Sequence, residues 1–379
     1  MIHWCGTGLS AIPGLRRLID QGRDVVVWNR TVEKAQETVG DIASEIRAFS
    51  MEAISEALQP GDILVSMLPG DWHVPLAEAC IAARANFVSS SYISPEMRAL
   101  DEAARDAGVA LVNEVGLDPG IDHLMAHWLV ADYRASTAYD PANSLSFISY
   151  CGGIPKIPND FRYKFSWSPA GVLKALRSPS RSLSAGRQLD VARPWDAIST
   201  YTAPLDTPEA FEVYPNRDSL PFMEDYHFDP AWKVDTFVRG TLRLNGWTEA
   251  WKDIFSAIEG FEGEDGDTSL KNLSDRLWTE NAYDEGEPDR VVLCVGLNAE
   301  RDGKAVYDKT YVLDAWGDAR GTAMARLVSV TVALAVESVA DGKILAGVSP
   351  APGSELLVRE WMGVLRGEAQ HIAVVDDLA

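Results

Sequence analysis

Residues 6–11 place Gly6, Gly8 and Ala11 in a G-x-G-x-x-A pattern just after a short apolar run. That spacing suits a dinucleotide pyrophosphate: one glycine makes the tight turn, one lets the backbone approach, and a small residue lets a helix pack closely. A second apolar run, residues 25–28, ends in Asn29-Arg30-Thr31 with no Asp or Glu up to Val32. NAD sites usually carry an acid there for the ribose 2′-hydroxyl, so Arg30 and Thr31 read as a 2′-phosphate site and favour NADP, with NAD as the alternative. Residues 113–123, NEVGLDPGIDH, hold two carboxylates around a Pro-Gly pair. Asp118 precedes a proline and is pushed extended, Pro119-Gly120 fits the centre of a type II turn, and Asp122 falls where a helix N-cap belongs. This stretch is expected to floor an active site. Further along, Arg162, Lys164, Arg217, Arg239 and Arg243 lie in aromatic, glycine-punctuated segments where cations can grip carboxylates. On a strand, Arg239, Thr241 and Arg243 would share one face.

Other chemistries find less support. His123 and His127 stand four apart on an expected helix, but no HExxH and no third ligand accompany them, so no metal is expected. No Gly-x-Ser-x-Gly elbow supports acyl transfer. Cys151, beside Gly152-Gly153, reads equally as a buried small residue or an active-site thiol.

The elements that must position these residues follow from periodicity. Strand-like runs at 2–5, 25–28, 63–68, 86–90 and 110–115 alternate with helix-like runs at 13–21, 51–58, 73–83 and 95–107. Such alternation predicts a doubly wound parallel sheet, with ligands beyond the carboxyl ends of its strands. Residues 66–69, 90–92 and 113–123 fall at those ends. After about residue 140 the pattern changes to β-rich runs at 144–151, 235–245, 291–297 and 305–313, the last two around an Asp302-Gly303 hairpin turn. A mainly antiparallel second domain carrying helices is expected, with exposed loops at 262–267 and 284–289. The apolar helix at 322–339 is expected to return to the first domain.

At 379 residues and 46% hydrophobic content, two globular domains are the natural division. A net charge of -22 argues against nucleic acid or an anionic membrane as the main partner. The apolar stretch 323–339 is interrupted by Arg326 and Glu337 and is short for a span. Four scattered cysteines and no basic, apolar leader lead to the expectation of a soluble, cytoplasmic protein without structural disulfides. An exposed antiparallel sheet in the second domain would suit a homodimer.

Together the motifs GTGLSAIP, NRT, SSSYIS, NEVGLDPGIDH, SYCGGIP, YKFSWSPAGVL, YPNRDSL, VRGTLR and AMAR resemble those of the saccharopine dehydrogenase family, in its L-glutamate-forming saccharopine reductase branch. The resemblance runs nearly end to end. It implies an α/β fold: a Rossmann doubly wound parallel sheet over residues 1–124, an inserted α+β substrate-binding and dimerisation domain over 125–320, and a segment 321–379 returning to the Rossmann domain. The implied reaction is NAD(P)-dependent oxidation of saccharopine to L-glutamate and 2-aminoadipate 6-semialdehyde, in lysine metabolism. Hydride leaves the former lysine ε-carbon, water adds to the imine, and the carbinolamine collapses, which requires a positioned acid-base group.

Carried over position by position, the resemblance implies cofactor contacts at Gly6, Gly8, Leu9, Ser10, Ala11, Asn29, Arg30, Thr31, Ser90, Ser91, Leu117, Asp118, Pro119 and Ser168. It implies substrate contacts at Ser91, Tyr92, Asp118, Arg217, Arg239, Gly240 and Thr241. Asp118, Tyr92 and Cys151 are the catalytic candidates. Leu9, Ser10 and Asn29 depart from the usual family residues. The alternatives are a carboxynorspermidine or homospermidine type of amine dehydrogenase, for which the several arginines are too many, and a catalytically silent NADP-binding regulator.

Overall fold

The computed structural model describes residues 1–261 and 263–379, and the side chains of all of these except Glu264. The chain forms two compact units, Met1–Leu124 with Met324–Glu368, and Met125–Ala323 with Ala369–Ala379.

The first unit alternates strands and helices: β1 (Ile2–Cys5), α1 (Ile12–Asp20), β2 (Val25–Asn29), α2 (Val32–Val39), β3 (Glu45–Ala48), α3 (Met51–Ala57), β4 (Ile63–Ser66), α4 (His73–Ala83), β5 (Asn86–Ser89), α5 (Pro95–Arg98), α6 (Asp101–Ala107) and β6 (Ala110–Val112). Helix α7 (Ile121–Ala135) begins in this unit. The central strands β1, β2 and β4 read IHWC, VVVWN and ILVS and are almost wholly buried, as a sheet covered by helices on both faces requires.

The second unit contains β7 (Ser144–Pro155), α8 (Pro169–Leu176), β8 (Ser180–Ser184), β9 (Arg187–Val191), β10 (Ser199–Ala203), β11 (Glu209–Pro215), α9 (Phe222–Asp225), β12 (Lys233–Leu244), α10 (Trp247–Ala250), α11 (Lys252–Glu259), α12 (Gly263–Asn281), β13 (Asp289–Arg301) and β14 (Lys304–Trp316). The chain then adds α13 (Ala323–Ala340), β15 (Gly347–Ser349) and α14 (Glu355–Leu365) to the first unit, and β16 (His371–Asp376) to the second.

In the first unit seven parallel strands lie in the order β15-β6-β5-β4-β1-β2-β3. The order reverses between β1 and β4, which is where a doubly wound sheet opens a ligand crevice. Two strands lie outside the sequence expectation. Strand β3 reads EIRA on an exposed edge, and β15 is three residues delivered from far along the chain. The expected helix at 95–107 is two helices, α5 and α6.

Helix α13 does return to this unit. Gly14 of α1 donates its N–H to Ser329 Oγ at 2.8 Å, and Arg17 pairs with Glu337 at 2.8 Å. A Cβ at Gly14 would fall 1.9 Å from the Ser329 carbonyl oxygen, so the two helices meet backbone to backbone. By length and composition α13 could cross a membrane, yet it is mostly buried within the protein, as a core helix is.

The second unit holds a nine-stranded sheet along the path β10-β11-β12-β7-β13-β14-β16, with β8 and β9 attached at β12. All pairings are antiparallel except β12 on β7, which is parallel. The last strand therefore belongs to this sheet, whereas the sequence placed the whole of 321–379 with the first domain: β16 pairs with β14 from Lys309↔Asp376 to Asp314↔His371. The hairpin at Asp302-Gly303 forms as expected, with both residues at positive φ. The loop expected at 262–267 is replaced from Gly263 onward by the start of α12, while Glu262 lies outside the described residues. Asp289, expected in an exposed loop, is buried in β13 and accepts the Ala323 N–H at 2.7 Å.

Candidate active site

In the first unit, the β1–α1 loop has the shape the glycine spacing predicts. Gly6 adopts φ 103° and packs against the backbone beyond β4, where a Cβ would lie 3.1 Å from the Met67 carbonyl oxygen. At Gly8 nothing stands within 4 Å of where a Cβ would be, so the backbone is open to a ligand. Ala11 is buried, its N–H bonded to the Gly8 carbonyl at 3.1 Å, while Leu9 is 56% exposed and Ser10 half-buried. At the end of β2, Asn29 Nδ2 donates to the Thr31 carbonyl at 2.7 Å and shapes the turn. Arg30 is exposed and pairs with no carboxylate among the described residues, and the Thr31 hydroxyl does not cap α2. A guanidinium and a hydroxyl left for a ligand, with no acid on the strand end, fit the 2′-phosphate of NADP.

Beyond β5 and β6 the polar side chains converge. Tyr92 Oη donates to Asp118 Oδ1 at 3.0 Å, and both residues are half-buried. The turn that presents Asp118 differs from the expected type II geometry. The Asp118–Pro119 peptide is cis, Gly120 has φ 144°, and the loop closes through Gly116 N–H to the Pro119 carbonyl at 2.8 Å and Ile121 N–H to the Gly116 carbonyl at 3.1 Å. Leu117 and Pro119 are buried in this loop. A Cβ at Gly120 would fall 2.2 Å from the Gly116 carbonyl oxygen. Asp122 is not the N-cap either: it lies inside the first turn of α7, and its Oδ1 accepts the Gly120 N–H at 2.7 Å. The carboxylate still serves the helix start, from one position further in.

Two buried polar residues of this cluster lie outside the sequence expectation. Glu114, buried and at φ 57°, accepts the Ile93 N–H at 2.9 Å and contacts His123 Nε2 at 3.0 Å, tying the loops after β5 and β6 to α7. It also gives His123 a partner other than a metal; among the described residues no cluster of three ligating side chains could hold one. His73 is buried against three serines beyond β4 and β5. Its burial depresses the imidazole to about 4, so the ring is neutral. The available signals were the polar Glu114 inside NEVGLDPGIDH and the lone histidine opening an apolar helix.

In the second unit, Arg239 and Thr241 of β12 lie beside Ser149 and Cys151 of β7. The loop after β11 is laced to this strand: Asn216 N–H donates to the Arg239 carbonyl at 3.0 Å, Asn216 Nδ2 to Thr241 Oγ1 at 2.8 Å, and Arg239 N–H to Ser219 Oγ at 2.9 Å. Arg217, exposed and at φ 53°, is carried on that loop. The Arg239 guanidinium is buried 4.0 Å over the Phe222 ring, a cation–π contact in which aromatic quadrupole replaces lost water. Gly240 admits no side chain, since a Cβ would stand 2.8 Å from the Tyr214 carbonyl oxygen. Cys151 is buried.

Two cations of the expected cluster, Lys164 and Arg243, go elsewhere. Lys164 pairs with Glu287 at 2.5 Å. Arg243 is buried among Tyr163, Tyr214 and Trp247, donating to Tyr214 Oη at 2.9 Å. Ser168 is the N-cap of α8, its hydroxyl accepting the Gly171 N–H at 3.3 Å.

Residues 4–112 match the family model for the saccharopine dehydrogenase NADP binding domain, and residues 116–369 match the saccharopine dehydrogenase C-terminal domain. A Pyricularia oryzae protein named saccharopine dehydrogenase [NADP(+), L-glutamate-forming] is 31% identical over 89% of this chain and 90% of its own length. The mitochondrial α-aminoadipic semialdehyde synthase of Bos taurus is 29% identical over 78% of this chain, which spans 38% of that longer protein. Among solved structures, apo saccharopine dehydrogenase (L-Glu forming) from Saccharomyces cerevisiae superposes with a TM-score of 0.80 at 27% identity, covering 99% of both chains. Homospermidine synthase from Legionella pneumophila shares the fold, with a TM-score of 0.65 at 10% identity over 99% of this chain and 91% of that one. With its NADP-binding sheet and its mixed-sheet unit each matched by the corresponding model, the chain belongs to the saccharopine dehydrogenase family.

Proposed function

We propose that this chain is an NADP-dependent oxidoreductase that acts on a CH–NH bond, oxidising saccharopine to L-glutamate and 2-aminoadipate 6-semialdehyde. The observation that carries the reading is the Tyr92–Asp118 hydrogen bond of 3.0 Å, set at the carboxyl edge of a sheet whose sequence matches an NADP-binding domain. The naming of relatives supports the substrate.

When bound, NADP+ would supply the hydride acceptor for the carbon that becomes the aldehyde. The chain's residues handle protons and charge. The secondary amine of saccharopine must lose its extra proton before its neighbouring carbon can give up hydride, and the Asp118 carboxylate takes that proton. The Tyr92 O–H holds the carboxylate in one orientation meanwhile. Asp118 releases the amine's proton to solvent, then takes a proton from the water that adds at the iminium carbon and passes it to the nitrogen; the C–N bond breaks as the carbinolamine O–H gives its proton back to Asp118, leaving aldehyde and amine. Arg217 and Arg239 supply cations suited to the substrate's carboxylates. Gly8, Arg30 and Thr31 would hold the cofactor's phosphates, and Leu9, Ser10, Ala11, Ser90 and Ser91 would line its path.

The test is the absorbance of reduced nicotinamide on mixing the protein with saccharopine and NADP+. No turnover with either NADP+ or NAD+ from neutral to alkaline pH overturns the reading, and NADP+ binding without turnover on any secondary amine points to a silent regulator. Two further proposals accompany it. A homodimer is supported by the face of β7 along which Ser146, Ile148 and Tyr150 stay half-exposed, and sedimentation would measure it. A cytoplasmic setting is supported by four buried cysteines scattered along the chain, and cell fractionation would test it.

A further inference from the structure

His73 opens α4 with its ring over the carboxyl ends of two adjacent strands, where Ser66 of β4 and Ser89 of β5 are register partners. Its Nδ1 lies 3.0 Å from Ser66 Oγ, and its Nε2 lies 2.8 Å from Ser91 Oγ and 3.4 Å from Ser89 Oγ. Ser89 Oγ in turn accepts the Ser91 N–H at 3.1 Å, which fixes the Ser91 backbone. Ser66 is 1% exposed, and the imidazole is the only partner its hydroxyl has among the described residues. A buried hydroxyl proton with one acceptor in reach must use it, so Ser66 donates to Nδ1. The ring is neutral and has one proton, which therefore sits on Nε2 and is donated along the short contact to Ser91 Oγ; the 3.4 Å contact to Ser89 is a poor one. Ser91 then accepts from the ring and keeps its own proton for a partner outside the network. Unlike Ser66 and Ser89, it is only half-buried.

We propose that His73 is a positioning residue: it relays hydrogen-bond direction from Ser66 to Ser91, so that the Ser91 hydroxyl is presented as a donor to an acceptor oxygen of the bound ligand. The inference rests on the functional reading above in placing Ser91 at the site. The acceptor is an oxygen either of the cofactor or of a substrate carboxylate, and the two arms of the experiment separate these.

The experiment measures the NADP+ dissociation constant by calorimetry, and KM and kcat for saccharopine, for Ser91→Ala, His73→Phe and the double variant. Losing one directed hydrogen bond weakens binding by about ten-fold. The expected result is that Ser91→Ala and His73→Phe weaken the same one of the two ligands by similar factors, with the double variant no worse than either. His73→Gln, whose amide N–H replaces Nε2–H, should recover most of the loss. Effects that multiply in the double variant, or a Ser91→Ala protein that binds both ligands normally, overturn the proposal. A second readout needs no turnover: in 15N NMR of ring-labelled histidine, the ring whose signals shift in Ser66→Ala should be neutral with a protonated Nε2 and a bare Nδ1, while His3, which accepts the Trp28 indole N–H on its own Nδ1, keeps its signals. A protonated Nδ1 on the ring that shifts overturns the relay even if His73→Phe fails to fold. If the wild-type protein does not turn over saccharopine, the substrate reading fails, while the NADP+ and NMR arms still decide the role of His73.

Discussion

The phenol of Tyr92, in the segment after β5, donates to Oδ1 of Asp118, in the turn after β6, at 3.0 Å. The two stand 26 positions apart in the chain, and adjacent parallel strands bring them together. The hydrogen bond orients the carboxylate that the proposed reaction uses for proton transfer.

If the pair acts as a unit, its members should not be independent. Asp118→Asn should lower kcat/KM for saccharopine by roughly 100- to 1,000-fold and Tyr92→Phe by about 10- to 100-fold, with the double variant close to Asp118→Asn alone. Steady-state kinetics of the four proteins measures the coupling. Multiplicative losses would show that the hydrogen bond does not link their roles.

Cofactor choice should depend on Arg30, an exposed cation with no carboxylate partner among the described residues. Arg30→Ala should reduce kcat/KM with NADP+ by roughly ten-fold or more while changing that with NAD+ little, because only the 2′-phosphate gains a charge-assisted bond. An unchanged ratio between the two cofactors removes Arg30 from the phosphate site.

The Asp118 turn should tolerate no side chain at Gly120. Its φ of 144° is strained for an L residue, and a Cβ would overlap the Gly116 carbonyl oxygen at 2.2 Å. Gly120→Ala should therefore cost about 2–4 kcal/mol of stability. Urea unfolding would read this as a lowered midpoint; a midpoint equal to that of the wild type would contradict the packing described here.

Stability should fall in mild acid partly through His73. Burial lowers its imidazole from an ordinary 6.5 to about 4, so between those values the unfolded chain takes up a proton that the folded one refuses. Nothing is lost through His73 well above pH 6.5, and the loss grows progressively as pH falls toward 4, reaching about 3 kcal/mol at the low end. His73→Phe removes this titration, so its stability should decline less steeply than the wild type across that window. Parallel pH profiles for the two proteins would mean that His73 titrates normally in the fold.

Local chemistry was legible in the sequence because it depends on neighbours in the chain. The Gly6–Ala11 loop, the acid-free end of β2, the Asp302-Gly303 hairpin and the alternating strands and helices each follow from a few adjacent residues, and they were sufficient to define a dinucleotide sheet and a β-rich second unit. What depends on residues far apart was decided only by the tertiary structure. The opening reading of NEVGLDPGIDH put a type II turn before an N-capping Asp122. The fold instead closes the loop through Gly116 and moves Asp122 into the helix, because contacts around Gly116 and Gly120 outweigh the local turn preference. The expected arginine cluster was divided in the same way: Lys164 found Glu287, Arg243 found an aromatic cage, and Arg239 stayed beside Thr241 and the Arg217 loop. His73 and Glu114 gained their roles from partners on other strands and loops. Residue types determined which side chains can donate, accept or carry charge; strand order and burial decided which of them meet.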